Sequence, residues 1–234
     1  MIYMPSGRAR EYADYAINQY RGCQHGCTYC YVRAIRHEPP GVNNDPEPIG
    51  TTKLNELKKE APGYSGKVVT MSFLSDPYQP CEARLGITRQ ILEIFYYHKI
   101  IPRILSKAGS LPLRDIDLIA KCGGEYGATL TCDNEKDSLK YEPGAALPSE
   151  RIETLRAMHE RGIKTWVSCE PVIDPEQTTS LIRTTAEFVD LFKIGKINYQ
   201  KSEIDWVVFR MRVRGVLAAL GKKYYIKRDL LEEH

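Results

Sequence analysis

Long hydrophobic runs are missing from this chain. No stretch approaches the ~20 consecutive apolar residues a bilayer-spanning helix needs. The opening residues Met1-Ile2-Tyr3-Met4-Pro5-Ser6-Gly7-Arg8 also lack the apolar middle of a secretory signal. The expectation is therefore a cytoplasmic protein with no membrane partner. Neither sign of charge is in great excess, and a net charge of +3 permits an anionic partner without demanding one. Glycine-rich phosphate loops and Ser/His/Asp arrangements are absent, and the five histidines are scattered. Nothing in the composition reads as disordered. The seven cysteines are an odd number in a mid-sized chain, which argues against a disulfide scaffold and for reduced thiols.

Three of those cysteines are concentrated in Arg21-Gly22-Cys23-Gln24-His25-Gly26-Cys27-Thr28-Tyr29-Cys30-Tyr31. Three thiolates on one glycine-broken loop can converge on a soft metal centre. Structural zinc and a ferredoxin-type cluster each want four ligands, and a fourth nearby cysteine is missing. Three ligands leave a coordination position open for chemistry. The alternative is a non-enzymatic zinc module completed by His25 or His37.

At 42% hydrophobic, the 234 residues can bury the core of a single domain spanning 1–234. Its core is expected over 15–200, with a helix and a basic extension over 201–234. Strands are predicted at Tyr15–Tyr20, Val68–Leu74, Ile101–Leu105, Ala128–Cys132, Thr165–Cys169 and Leu191–Ile194. Helices are predicted at Thr52–Ala61, Thr88–Tyr97, Leu113–Cys122, Ser149–Arg161, Pro175–Phe188 and Glu203–Leu220. Ser149 is placed as a start signal for its helix, and Asp174 before Pro175 reads as an N-cap. The proline-rich segment His37–Gly50 reads as an ordered excursion or lid, and Leu230–His234 as a frayed end. Recurring strand–helix pairs imply parallel strands joined by right-handed crossovers. Six units are too few for a complete eight-stranded barrel, and periodicity alone leaves an open doubly wound sheet as the alternative.

In either architecture reactive groups collect at the carboxyl ends of the strands. Those ends carry the cysteine loop, Ser75-Asp76, Ser106-Lys107, Thr131-Cys132-Asp133-Asn134, Ser168-Cys169-Glu170 and Lys193-Ile194-Gly195-Lys196. Cys122 reads as a core residue. Cys81, Cys132 and Cys169 are either core residues or thiols placed to donate a hydrogen atom. The helix Glu203–Leu220 carries an apolar stripe of Trp206, Phe209, Val213, Val216, Leu217 and Leu220, beside Arg210 and Arg214. Lys222, Lys223, Lys227 and Arg228 follow. Such a basic face is either solvated or able to meet phosphates.

The Cys-x3-Cys-x2-Cys spacing, with Tyr29 before the last cysteine, resembles the cluster loop of radical S-adenosylmethionine (SAM) enzymes. Asn18-Gln19-Tyr20-Arg21-Gly22-Cys23, Cys30-Tyr31 and Ser75-Asp76-Pro77-Tyr78-Gln79-Pro80 with Glu82 are similar to the spore photoproduct lyase-like branch. The likeness spans 15–200, through Arg114-Asp115-Ile116-Asp117-Leu118 and Glu142-Pro143-Gly144-Ala145. It implies a partial (β/α)6 barrel and a 4Fe–4S cluster on Cys23, Cys27 and Cys30 whose unique iron binds SAM. A reduced cluster then cleaves SAM to a 5′-deoxyadenosyl radical that abstracts a substrate hydrogen, with electrons from an external flavodoxin- or ferredoxin-type donor. Ser75, Asp76, Lys107, Thr131, Asp133 and Glu170 are the candidate SAM contacts. Ser75-Asp76 stands where the superfamily often has a Gly-Gly-Glu turn. Tyr29 and Tyr31 occupy positions of lyase tyrosines that assist radical quenching, and Cys81 and Cys169 are the further catalytic candidates. The lyase's donor cysteine has no counterpart at Phe73-Leu74. The branch includes a DNA repair lyase, so nucleic acid is the expected substrate, with a peptide or small metabolite as the alternative.

Overall fold

The computed structural model describes residues 1–39, 45–197 and 200–231. Short runs rich in β-branched residues become strands, among them β1 (Tyr15–Ile17), the small pair β2 (Tyr20–Arg21) and β3 (Glu47–Pro48), and β4 (Val68–Met71). β5 (Ile101–Ser106), β6 (Glu125–Thr129), β7 (Lys164–Val172), β8 (Leu191–Lys196) and β9 (Lys223–Ile226) follow. Among the described residues β1 and β4 to β9 form one sheet in sequential order, every neighbouring pair parallel. A doubly wound sheet reverses its strand order at a switch point. This one does not, so it is a partial barrel. It carries one strand beyond the six expected, because Lys223–Ile226 of the basic extension joins the sheet beside β8.

The crossovers carry α1 (Tyr31–Arg36), α2 (Thr51–Glu60), α3 (Glu82–Leu85), α4 (Ile87–His98), α5 (Ile116–Lys121), α6 (Glu135–Tyr141), α7 (Pro148–Glu160), α8 (Pro175–Thr185) and α9 (Trp206–Ala219), and α10 (Arg228–Leu231) follows the last strand. In α4, Ile87, Ile91, Leu92, Ile94 and Phe95 form the buried stripe. Each such side chain, fully buried, is worth about 1.5–3 kcal/mol. Asp174 caps α8 as expected, accepting from the Glu176 and Gln177 amides. Ser149 does not cap α7. Pro148 takes the first helical position and Glu150 accepts from the Leu147 amide at 2.8 Å, satisfying an orphan donor from inside the helix. Asn134 caps α6. Of the frayed end, Leu230 is buried within α10, and 232–234 lie outside the described residues. In the His37–Gly50 segment, β3 pairs antiparallel with β2, and 40–44 lie outside the described residues.

The edges of the sheet are β1 and β9, and the amino-terminal segment bridges them. Tyr3 exchanges two 2.9 Å backbone hydrogen bonds with Ala16 of β1. Glu11 accepts from the Tyr225 hydroxyl at 2.8 Å and the Arg228 amide at 3.1 Å. The concave face is not closely packed. On β5, Ile101, Arg103 and Leu105 are half-buried, whereas Pro102, Ile104 and Ser106 are buried. A central strand packed on both faces would bury both sets.

Candidate active site

The cysteine loop leaves β1 at the carboxyl end of the sheet and is held from three sides. Gln79 accepts from the Gln24 amide at 2.9 Å and donates to the Gly22 carbonyl at 3.2 Å, while Gln24 accepts from the Cys81 amide at 2.7 Å. His25 places Nδ1 2.8 Å from the Gly144 carbonyl and Nε2 3.1 Å from Asp76 Oδ2. Gly144 donates its own amide to the His25 carbonyl at 2.9 Å. A Cβ at Gly144 would run into the Gln24 carbonyl, so only glycine fits.

Asp76 is a structural anchor. Its carboxylate accepts from the Lys107 amide at 2.6 Å, Ser106 Oγ at 2.7 Å and the Tyr78 amide at 2.8 Å. Burial alone would raise its pKa, but His25 and these donors outweigh burial and hold it at about 2. The expectation that Asp76 contacts SAM is therefore corrected, because its oxygens are already committed. Its neighbour Ser75 is half-buried, its hydroxyl 3.2 Å from that of Ser72. Asn18 organises this turn by accepting from Ser72 Oγ and the Phe73 and Leu74 amides.

A second buried network meets the loop from β5, β6 and α7. Lys107 continues the concave face of β5 and sets its Nζ 5.7 Å from the Tyr29 ring centroid. Burial would lower its pKa, but Cys27 and Glu142 raise it overall. Tyr29 donates to Glu142, which also accepts from Thr131 at 2.7 Å and pairs with the fully buried Arg151 at 2.7 Å. Burial opposes ionisation of Glu142, yet Arg151 and Lys107 keep its pKa low. Burial pushes the Tyr29 phenol up. The Tyr31 hydroxyl donates to the Phe73 carbonyl.

Several expected residues are placed differently. Cys169 is fully buried in the apolar core beneath the helices, its strand partner Ile194 beside it. Adjacent side chains of a strand point to opposite faces, so Ser168 and Glu170 reach the lumen and Cys169 does not. Cys81 packs against the core edge. The Cys169 assignment is corrected, because its side chain points into the helix-side core, whereas Cys81 stays half-buried with its amide on Gln24 of the cysteine loop. Thr131 is buried and bonded to Glu142, whereas Asp133 is exposed with its amide on Gln177. Glu170 lies in the lumen, accepting from Tyr12 with Lys227 Nζ 3.7 Å away. Glu142 had no assigned chemical role, and Arg151 was unnoticed. The acid one residue before Pro143-Gly144 was the only available signal.

The zinc alternative fails on His25, whose two ring nitrogens face Gly144 and Asp76. His37 is the exposed left-handed C-cap of α1. Burial, with smaller contributions from Glu142, Cys23 and Cys30, pushes the Cys27 thiol up to about 12, and among the described residues no three His, Cys, Asp or Glu side chains are already gathered in a metal-holding arrangement. Burial likewise takes Cys23 to about 11. A metal centre would supply the positive charge that makes buried thiols thiolates.

This arrangement defines an enzyme of the cofactor-dependent partial-barrel class. The chain belongs to the radical SAM superfamily, whose family model matches residues 17–189. It is 33% identical over 194 residues to an uncharacterised protein of Methanocaldococcus jannaschii, covering 81% of this chain and 73% of that one. It spans only 51% of the length of similar uncharacterised mycobacterial proteins. Spore photoproduct lyase, solved with SAM and a dinucleoside spore photoproduct, superposes with a TM-score of 0.71 at 13% identity, covering 96% of this chain and 79% of the lyase. Streptococcus suis SuiB bound to SAM superposes with a TM-score of 0.70 at 14% identity, covering 90% and 49%. These likenesses establish the fold. As a radical SAM enzyme the protein uses a 4Fe–4S cluster and SAM and needs an electron donor. Among the described residues no helix is long and apolar enough to cross a membrane.

Proposed function

We propose that Cys23, Cys27 and Cys30 hold the cluster, that Ser75, Lys107, Thr131 and Asp133 border SAM, and that the substrate is a nucleic acid. The carrying observation is the Cys23, Cys27, Cys30 spacing on a loop locked by His25, Asp76 and Gly144, with the buried Lys107 beside Tyr29 of that loop. When bound, cluster and SAM supply a 5′-deoxyadenosyl radical, which is chemistry the protein itself cannot make. The chain's residues do the rest. Lys107 offers a buried positive charge suited to a carboxylate, Asn18 shapes the turn at Ser75, and Tyr29 and Tyr31 stand beside the cysteines with their phenols anchored.

Two assays test the site. Anaerobic protein with dithionite should release methionine and 5′-deoxyadenosine, and the triple Cys→Ala variant should be colourless and free of cluster iron. A variant with full iron and sulfide would overturn the ligand set. Cluster-loaded protein without measurable SAM affinity would overturn the SAM border.

The nucleic-acid reading rests on the lyase-like motifs and on the cations Arg214, Lys222, Lys223 and Arg228. Binding through phosphates should fall with salt at a log–log slope near 0.9 per phosphate contacted on duplex DNA. Charge reversal at Arg214 and Lys223 should reduce that slope. The peptide or metabolite reading is favoured by a different observation: much of the basic segment is already engaged. Arg210 donates to the Leu230 and Leu231 carbonyls, Arg212 pairs with Glu176, and Lys227 is buried in the lumen. No oligonucleotide binding at low salt would shift the choice to that class.

A further inference from the structure

The lumen holds an unusual imbalance of donors and acceptors. Arg103 is paired with Glu125 at 2.7 Å and donates to the Tyr12 carbonyl at 2.8 Å. Lys227 stands between Glu170 at 3.7 Å and Glu11 at 3.8 Å and donates to the Arg8 carbonyl at 3.4 Å. Lys193, on the concave face of β8, has no such partner. It is only 6% exposed, its Nζ lies over two aromatic faces, Tyr12 at 4.2 Å and Trp166 at 5.2 Å from the ring centroids, and the carboxylates of Glu170 and Glu125 act on it only at longer range. Cation–π contacts of this kind are weak attractions. Desolvating an ammonium costs several kcal/mol, so the aromatic faces do not balance the burial.

Trp166 gives a second, independent observation. Its indole Nε1 is buried and has no acceptor among the described residues, and a buried donor left unpaired costs more than a made bond returns. The ring is seated against β6 at Gly127, where any Cβ would overlap it. Ser168, the strand partner of Lys193, lies two residues from Trp166 on the same face of β7. Two donors without acceptors thus share one part of a lumen whose β5 wall is incompletely packed.

We propose that Lys193 and the Trp166 N–H form a seat for a singly charged oxyanion of the substrate, either a phosphodiester or a carboxylate. This rests on the reading that the substrate lies in the lumen below the cluster loop. The three lumen cations Arg103, Lys193 and Lys227 face three carboxylates, Glu11, Glu125 and Glu170. Among the described residues none of these carboxylates makes a direct ion pair with Lys193, and a ligand oxyanion would supply that contact. Tyr12 walls the seat, and the amino-terminal segment carrying it closes the gap between β1 and β9. Burial, then Arg103 and Lys227, draw the Lys193 pKa down to about 8. A bound anion would raise it and cover the amine.

The test is trace acylation of cluster-loaded, SAM-bound protein at pH 8, with modification of Lys193 read by mass spectrometry. Dimethyl phosphate and acetate are the two anionic probes, and trimethyl phosphate is the neutral control. The expected result is at least tenfold slower modification with a saturating anion and no change with the neutral ester. Tyr225 and the other lysines serve as internal references. Trp166→Phe, which keeps the ring and loses the N–H, should weaken protection severalfold. Protection by dimethyl phosphate supports a phosphodiester, whereas protection by acetate alone assigns the seat to a carboxylate and removes nucleic acid as the substrate. Equal modification under all conditions, or no modification of Lys193 in any, overturns the seat. SAM cleavage by the same sample is scored separately, so loss of the seat and loss of the radical SAM site assignment are distinguishable.

Discussion

The cluster rim and the lumen beneath it are built on opposite principles. At the rim, Asp76 and Glu142 are buried carboxylates with several polar partners each, His25, Ser106 and two amides for one and Arg151, Thr131 and Tyr29 for the other, although Arg151 Nη2 has no acceptor among the described residues. In the lumen, among the described residues, the Trp166 N–H has no acceptor and Lys193 makes no direct ion pair. A satisfied buried network fixes geometry, and an unsatisfied one leaves binding energy for a ligand. The rim therefore reads as a preformed cradle and the lumen as a surface completed by what binds there.

Breaking the rim should have the largest effect. Asp76→Ala leaves several buried donors without an acceptor and should cost about 3–5 kcal/mol, read by urea unfolding. A loss below about 1 kcal/mol would mean the anchor is dispensable.

The lumen should respond with the opposite sign. The folded pKa of Lys193, about 8, lies below its ordinary 10.5, so between these values the unfolded chain binds more protons and wild-type stability rises with pH. Lys193→Met should accordingly be more stable than wild type at pH 7, by about 3 kcal/mol from the linkage alone. The advantage should vanish by pH ~10.5. A variant less stable at pH 7 would show that Lys193 is a structural strut, and the contrast between the two regions would fail.

Gly144→Ala tests the cradle more locally. The added methyl meets the Gln24 carbonyl, and overpacking of this kind costs about 1–3 kcal/mol. Cluster iron should fall to less than half of the wild-type load while the far-ultraviolet spectrum persists. Full iron loading would show that the loop tolerates displacement.

Tyr29→Phe should be the mildest change, removing one buried hydrogen bond for about 1 kcal/mol. Comparison with Tyr31→Phe, whose phenol donates to the Phe73 carbonyl, separates packing from a redox role. If both variants keep SAM cleavage and substrate turnover, neither phenol relays a hydrogen atom.

The cysteine loop and most of the barrel were legible because they are local. Ligand spacing is carried by consecutive residues, and a strand–helix rhythm by hydrophobic periodicity. β9 was missed because Lys223-Tyr224-Tyr225-Ile226 sits in a run of cations and reads as a solvated tail. Cys169 was misplaced because β7 is buried on both faces, where period-two alternation does not say which face is the lumen.

By itself the sequence determined the radical SAM signature and the order of parallel units, since both depend on neighbours along the chain. Only the tertiary structure decided that Asp76 is an anchor, that Lys227 turns inward, that Glu142 meets Arg151, and that Lys193 and Trp166 share one part of the lumen. Those partners come from different strands and helices, and their pairing depends on the direction of each side chain across the closed side of the sheet. No spacing along a single segment encodes that direction.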